Sequence, residues 1–88
     1  MDEYFISIEK HFQSARGSES FLISPEDWHL MEIWKENGVP VVSALRGIDV
    51  AFAKHRSTKS RDQINSLKFC SRFVIQDWVK NRVRNDRR

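Results

Sequence analysis

The stretch "SPEDWHLMEIWKENGVP", residues 24–40, constrains the fold of this chain more than any other. Ser24 before Pro25 is typical of a helix start, because a serine side chain caps free backbone N–H groups and proline suits the first helical position. Gly38 is typical of a helix end, and Pro40 of the next helix start. So short a turn predicts two consecutive helices joined as a tight hairpin.

Apolar residues recur at helical spacing in four segments, which predicts helices over about 2–15, over 25–37, from 40 to a basic loop at 56–61, and from Asp62 to beyond Trp78. The expected buried faces carry, in chain order, Tyr4, Phe5, Ile8, Phe12 and Ala15; Leu30, Ile33, Trp34 and Asn37, flanked by Met31; Val41, Leu45, Ile48 and Phe52; and Ile64, Leu67, Val74 and Trp78. We therefore predict an all-α, compact four-helix domain over residues 1–80 and a frayed basic tail over 81–88.

Small residues lie beside the apolar face of the third predicted helix. Ala44, Gly47 and Ala51 are spaced so that they share one side of that helix. A glycine in the middle of a helix costs about 1 kcal/mol relative to alanine. We therefore expect a neighbouring helix to approach Gly47 closely.

Trp28 lies off the apolar face of its helix, so it needs a separate explanation. With Ser24 as the N-cap, Ile23 and Trp28 occupy the two positions of a hydrophobic staple, and Asp27 can form the acidic half of a capping box. The alternative is that Trp28 binds a partner. Both interpretations stay open at the level of sequence.

The composition excludes several classes of protein. The chain has 88 residues and a single cysteine, so it forms no internal disulfide, which suits a reducing compartment. It has no apolar run of the roughly 20 residues that span a bilayer, and its acidic N-terminus is unlike a signal peptide. We expect a cytoplasmic protein of bacterial type that does not insert into a membrane.

The residues that could support catalysis are few. His11 and His55 border apolar faces, and His29 forms a single Glu-x-x-His spacing with Glu26, whereas di-iron bundles need that spacing twice. Cys70 lies close to the predicted core, where a thiol is inert. We expect neither enzymatic activity nor a metal or other cofactor.

Charge is distributed unevenly along the chain. Residues 1–53 hold four Lys/Arg against nine Asp/Glu, whereas residues 54–88 hold eleven against three, so the balances are −5 and +8. A basic half indicates an anionic partner, although it can also be a solvated surface. The predicted nucleic-acid-binding residues lie on or after the fourth helix: Arg61, Lys68, Arg72, Lys80, Arg82, Arg84, Arg87 and Arg88. On the helix, Asn65 falls on the same face as Arg61, Lys68 and Arg72.

Phe69 and Phe73 adjoin this basic face. They could stack on bases or contact a partner, or they could pack in the core of the bundle. A DNA-reading helix-turn-helix in helices two and three is disfavoured, because their exposed faces would carry several acids. The alternative function is protein–protein interaction or oligomerisation through Trp28, Phe69 or Phe73, with an acidic protein or a second copy as partner.

The sequence resembles two groups of helical proteins. The runs "LISPEDWHLMEIWKENGVPVVSALRGIDVAFAKH" and "INSLKFCSRFVIQDW" resemble the DnaD-like replication-initiation domain at Trp34, Gly38, Ile48, Ala51 and Trp78. Asn65-Ser66-Leu67 departs from that family, which has a Tyr-hydrophobe opening there. The resemblance implies that the protein binds DNA without sequence preference during replisome loading. The residues that would contact DNA are Lys80, Arg82, Arg84, Arg87 and Arg88. The chain also resembles uncharacterised small bacterial helical proteins with an "LSP.DW…W…GIP…L.GID.AF" core, which implies no activity.

Overall fold

Four helices make up the structure. The computed structural model of the chain describes residues 2–17, 22–58 and 64–86, and this part of the chain contains no strand. The helices are α1 (Glu3–Arg16), α2 (Pro25–Glu36), α3 (Val41–Ser57) and α4 (Leu67–Asp86). The predicted all-α, four-helix class is confirmed.

Local sequence signals set the ends of α1 and α2. Asp2 caps α1 by accepting from the Tyr4 N–H at 2.9 Å, and Ser24 caps α2 by accepting from the Asp27 N–H at 3.2 Å. Both helices are followed by a glycine in the left-handed region, Gly17 at φ 83° and Gly38 at φ 84°. Glycine adopts this region without a steric penalty, so the predicted helix ends are confirmed.

A short connection leads from α2 to α3, as predicted. The Val39 N–H donates to the Trp34 carbonyl at 2.9 Å, and the Gly38 N–H donates to the Lys35 carbonyl at 3.1 Å. The most extensive contact between helices is that of α3 with α4, followed by that of α3 with α1. Helix α2 makes smaller contacts with α4 and α1.

Helices α1, α3 and α4 bury the faces that their periodicity predicts. Fully or nearly fully buried side chains of these faces are Ile8, Phe12, Ile48, Phe52, Leu67 and Val74. Ile64 is also buried, but it precedes α4. Tyr4, Phe5, Ala15, Val41, Leu45 and Trp78 are half-buried and pack against this core. Burial of these apolar side chains is the main favourable contribution to folding.

The buried face of α2 differs from the prediction. Asp27, Met31 and Trp34 are buried, whereas Ile33 is 39% exposed and Asn37 is exposed. The helix is therefore rotated by roughly a fifth of a turn relative to the expected orientation. This rotation directs the Asp27 carboxylate towards α4.

Asp27 caps the start of α4. Its carboxylate, 1% exposed, accepts from the Ser66 hydroxyl at 2.8 Å and from the Leu67 N–H at 3.0 Å. Ser66 Oγ accepts in turn from the Lys68 N–H at 3.1 Å. The predicted start of α4 near Asp62 was therefore wrong, because these bonds satisfy the first free N–H groups of a helix that begins at Leu67. Asp62 itself lies outside the described residues.

Gly47 marks the closest approach between α3 and α4. A Cβ atom added to Gly47 would lie 2.5 Å from the backbone N, the Cα and the Cγ2 of Val74. The predicted close approach is confirmed. Ser43 is buried at 1% on the same side of α3, because that side faces α4.

Helix α4 continues to Asp86, where a frayed tail was expected from residue 81. The Asn81 side-chain amide donates to the Asp77 carbonyl at 2.8 Å, and the Arg82 guanidinium lies 4.9 Å from the Trp78 ring centroid. Both contacts join residues four apart, which are neighbours on one side of a helix.

Candidate nucleic-acid interface

Four of the predicted basic residues are exposed on α4: Lys68, Arg72, Lys80 and Arg82. Within the part of the chain that the structure describes, none of the four forms an ion pair with a carboxylate. Arg72 and Arg82 instead lie over aromatic rings of their own helix, each at 4.9 Å from a ring centroid. These cations therefore remain available to an anionic partner.

The remaining predicted basic residues cannot be placed beside these four. Arg61, Arg87 and Arg88 lie outside the described residues, as does the side chain of Arg84. Asn65, expected on the basic face of the helix, precedes α4, and its Oδ1 accepts from Arg16 Nε at 3.1 Å and Nη2 at 2.7 Å. Its placement on the basic face was wrong, because α4 begins two residues later.

Helix α3 adds basic side chains that the sequence analysis did not assign to this site. Lys54 Nζ lies 5.9 Å from the Phe73 ring centroid, and the Arg72 guanidinium lies 4.9 Å from the same ring. The His55 ring meets the Phe69 ring edge-on, with centroids 5.7 Å apart. We call this group the Phe69–Phe73 seam; its members are Lys54, His55, Phe69, Arg72 and Phe73.

The basic run "KHR" at residues 54–56, at the end of α3, was the signal in the sequence for this contribution. It could not be assigned to the site because periodicity within one helix does not show which side faces another helix. Antiparallel packing brings the end of α3 beside the start of α4, which is a tertiary property.

The carboxylates of α3 and α4 whose side chains are described are paired with basic residues. Asp77 accepts from Arg46 Nε at 2.9 Å and from Arg46 Nη2 at 3.0 Å. The hydrogen bonds from Arg46 lower the pKa of Asp77, and those from Ser43 and Asn81 lower it further. Asp49 lies 2.7 Å from His11 Nε2. Both carboxylates therefore take part in contacts between helices and do not pair with the exposed cations of α4.

The three candidate aromatic residues have different environments. Phe73 is 8% exposed and belongs to the core, as the packing interpretation predicted. Trp28 is half-buried, and its ring meets that of Phe5 on α1 edge-on at 6.1 Å. Phe69 is 49% exposed, so it presents the largest accessible aromatic surface of the three.

Two exposed aliphatic residues of α4 were not predicted from the sequence. They lie on the side of α4 that faces away from the core, which we call its outer face. Ile75 is 36% exposed and Val79 is 47% exposed. At 100° per residue they share one face with Lys68, Arg72 and Arg82. Their spacing of four residues, about a third of a turn from the buried Leu67 and Val74, was the available signal in the sequence. The outer face is therefore mixed, with cations around a small apolar strip.

Cys70 is fully buried. Burial raises the pKa of its thiol to about 12, and the negative charge of Asp27 contributes to the same shift. A thiol with so high a pKa stays protonated at neutral pH and is a poor nucleophile. The predicted burial of Cys70 is confirmed.

A cleft of about 630 Å³ separates the exposed side of α2 from the start of α4. Its lining includes Leu30, Ile33, His29, Glu26 and Lys68, so it combines apolar walls with charges of both signs. Among the described residues no group of three or more His, Cys, Asp or Glu side chains could hold a metal ion. No helix in the described ranges has the length and apolar character needed to cross a membrane.

Comparison of the chain with protein-family models, with curated proteins and with solved structures gives no match.

Proposed function

We propose that this protein is a cytoplasmic, non-enzymatic module that binds nucleic acid weakly and without sequence preference. The binding surface consists of the Phe69–Phe73 seam and the exposed cations of α4. One observation carries the proposal: α4 exposes Lys68, Arg72, Lys80 and Arg82 without a described carboxylate partner, while Asp77 is bound by Arg46. The resemblance to DnaD-like domains implies the same activity in DNA replication.

The physical basis is the release of counterions. Each phosphate neutralised by a lysine or arginine frees condensed cations, which favours binding irrespective of base sequence. Arg46 is held by two hydrogen bonds to Asp77 and is therefore excluded from this role. Binding of phosphate by Arg46 would first require breaking its ion pair with Asp77. The exposed cations of α4 and Lys54 can bind phosphate without breaking an ion pair.

Protein–protein interaction is the second candidate function. The exposed Ile75 and Val79 on α4, and the cleft beside Leu30 and Ile33, favour it because both present apolar surface to solvent. An acidic partner with apolar side chains would complement the outer face of α4. Binding of that kind depends less on salt than phosphate binding does.

Fluorescence anisotropy of labelled DNA tests the leading proposal. We expect a Kd of roughly 1 to 100 µM at about 50 mM salt and a sharp loss of affinity at about 200 mM salt. Lys80→Gln should weaken binding and lower the slope of log affinity against log salt by roughly 0.7 to 0.9, the value for one lost phosphate contact.

Lys10→Gln is the matched control, because Lys10 is also exposed but lies on α1. It should leave both affinity and salt slope unchanged. Absence of binding at the lower salt concentration would refute the proposal, and equal effects of the two substitutions would remove α4 as the binding surface.

A further inference from the structure

Phe69 extends the proposed function to a particular class of nucleic acid. We infer that the Phe69–Phe73 seam binds single-stranded nucleic acid in preference to double-stranded nucleic acid. One base stacks on Phe69, and phosphates lie beside Lys54 and Arg72. The inference rests on the proposed nucleic-acid binding, which it makes more specific.

The exposure of Phe69 is the first argument. Phe69 is 49% exposed, and within the described residues it is the one aromatic side chain among the exposed large hydrophobic ones. Phe12, Phe52 and Phe73 are buried, and Phe5 is half-buried. An exposed phenyl ring loses contact with water when a base covers it, and this contribution does not depend on which base it is.

The second argument is that Phe69 is already positioned. It lies in the first turn of α4, whose start is capped by Asp27 and Ser66. The ring also contacts His55 edge-on, with an interplanar angle of 85°. A ring held in this way loses less conformational freedom when a base stacks on it than a ring on a loop would.

The third argument is the placement of the cations. Arg72 follows Phe69 by three residues and therefore lies next to it on α4. Arg72 and Lys54 approach the Phe73 ring from two different helices, at 4.9 Å and 5.9 Å from its centroid. Positive charge thus lies beside the exposed ring, as in surfaces that bind single strands.

A duplex would use this surface less well. Its bases are stacked on one another, so Phe69 could meet a base face only after unstacking, which costs a few kcal/mol. The outer face of α4 also carries Ile75 and Val79, whereas major-groove helices present side chains that hydrogen-bond to base edges. The cations alone would attract either form.

The test compares an oligothymidylate of about 16 nucleotides, the upper end of the usual site size, with a duplex of the same length at about 50 mM salt. Phe69→Leu keeps an apolar side chain but removes the aromatic face. It should weaken binding of the single strand roughly tenfold and leave binding of the duplex unchanged. Phe69→Trp should retain single-strand binding, and its added tryptophan fluorescence should be quenched by the oligonucleotide.

Val42→Ala is the control, because Val42 is an exposed aliphatic residue of α3, 46% exposed. It should change neither affinity, and circular dichroism should show that each variant is folded. If the wild-type protein binds both forms equally and Phe69→Leu alters neither, the stacking inference is wrong while the proposed function stands. If the wild-type protein binds neither form, both fail.

Discussion

Asp27 shows how one residue changes the arrangement of two helices. Its position in the first turn of α2 predicts a local capping role, but its carboxylate accepts from Ser66 and Leu67 at the start of α4. The carboxylate is buried at 1%, so these bonds replace the water that it would otherwise bind. Asp27 therefore joins α2 to α4, and its hydrogen bonds favour burial of the face of α2 that also carries Met31 and Trp34.

Asp27→Ala should destabilise the protein by about 2 kcal/mol, because it leaves the Ser66 hydroxyl and the Leu67 N–H without their acceptor. The measurement is urea unfolding followed by circular dichroism. Glu26→Ala is the control, since Glu26 is an exposed acid in the same turn, and it should change stability by less than about 0.5 kcal/mol. Equal losses in the two variants would contradict the capping role.

At the scale of the elements, the packing of α3 against α4 organises the molecule. Gly47 lets the backbone of α4 come close at Val74, and Arg46 pairs with Asp77 beside this contact. Further along, Lys54 and His55 reach Phe73 and Phe69. The same antiparallel pairing thus builds the core and brings together the basic residues of two helices.

Gly47→Ala tests this pairing. Alanine favours a helix by about 1 kcal/mol relative to glycine, but its Cβ would lie 2.5 Å from backbone atoms of Val74, so the helices must move apart. We expect a net loss of stability of about 1 to 3 kcal/mol, the usual cost of overpacking. Chemical denaturation measures it.

Ala53→Gly is the reference substitution for Gly47→Ala, because Ala53 is an exposed residue of the same helix. It should cost about 1 kcal/mol through helix propensity alone. A Gly47→Ala variant more stable than the wild type would show that the close approach is not maintained in solution.

At the scale of the whole molecule, the tertiary structure separates charge further than the chain order does. The first 53 residues carry a balance of −5 and the rest +8. Pairing of Asp77 with Arg46 and of Asp49 with His11 then places described carboxylates of α3 and α4 between helices. Because the Asp77 carboxylate is neutralised by Arg46 of α3, the exposed surface of α4 carries a more positive net charge than the residues of α4 alone would give.

Acid should destabilise the protein partly through Asp77. The pKa of Asp77 is lowered in the folded state, chiefly by its hydrogen bonds to Arg46, so its ionised form favours folding. This stabilisation is complete above the unfolded-state pKa of about 3.9 and is lost as the pH falls through the lower folded-state value. The midpoint of urea unfolding should therefore decrease in that range.

Asp77→Asn should be less stable than the wild type at neutral pH and should lose less stability on acidification. Glu36→Gln, at an exposed position on α2, is the matched control and should keep the wild-type pH dependence. An unchanged pH dependence in Asp77→Asn would mean that the contact with Arg46 contributes nothing to stability.

Local sequence determined much of this fold. The cap at Ser24, the glycines that follow α1 and α2, and the buried faces of α1, α3 and α4 could all be predicted, because each depends on residues within about one helical turn of one another. The basic character of α4 was predictable for the same reason.

Only the tertiary structure decided which face of α2 is buried, where α4 begins and which basic residues of α3 and α4 meet at the Phe69–Phe73 seam. Each depends on residues far apart in sequence: Asp27 with Ser66 and Leu67, or Lys54 with Phe73. Helical periodicity places side chains around one axis but does not set the rotation of that axis against its neighbours. That rotation follows from packing and from satisfying buried polar groups, which act across the whole molecule.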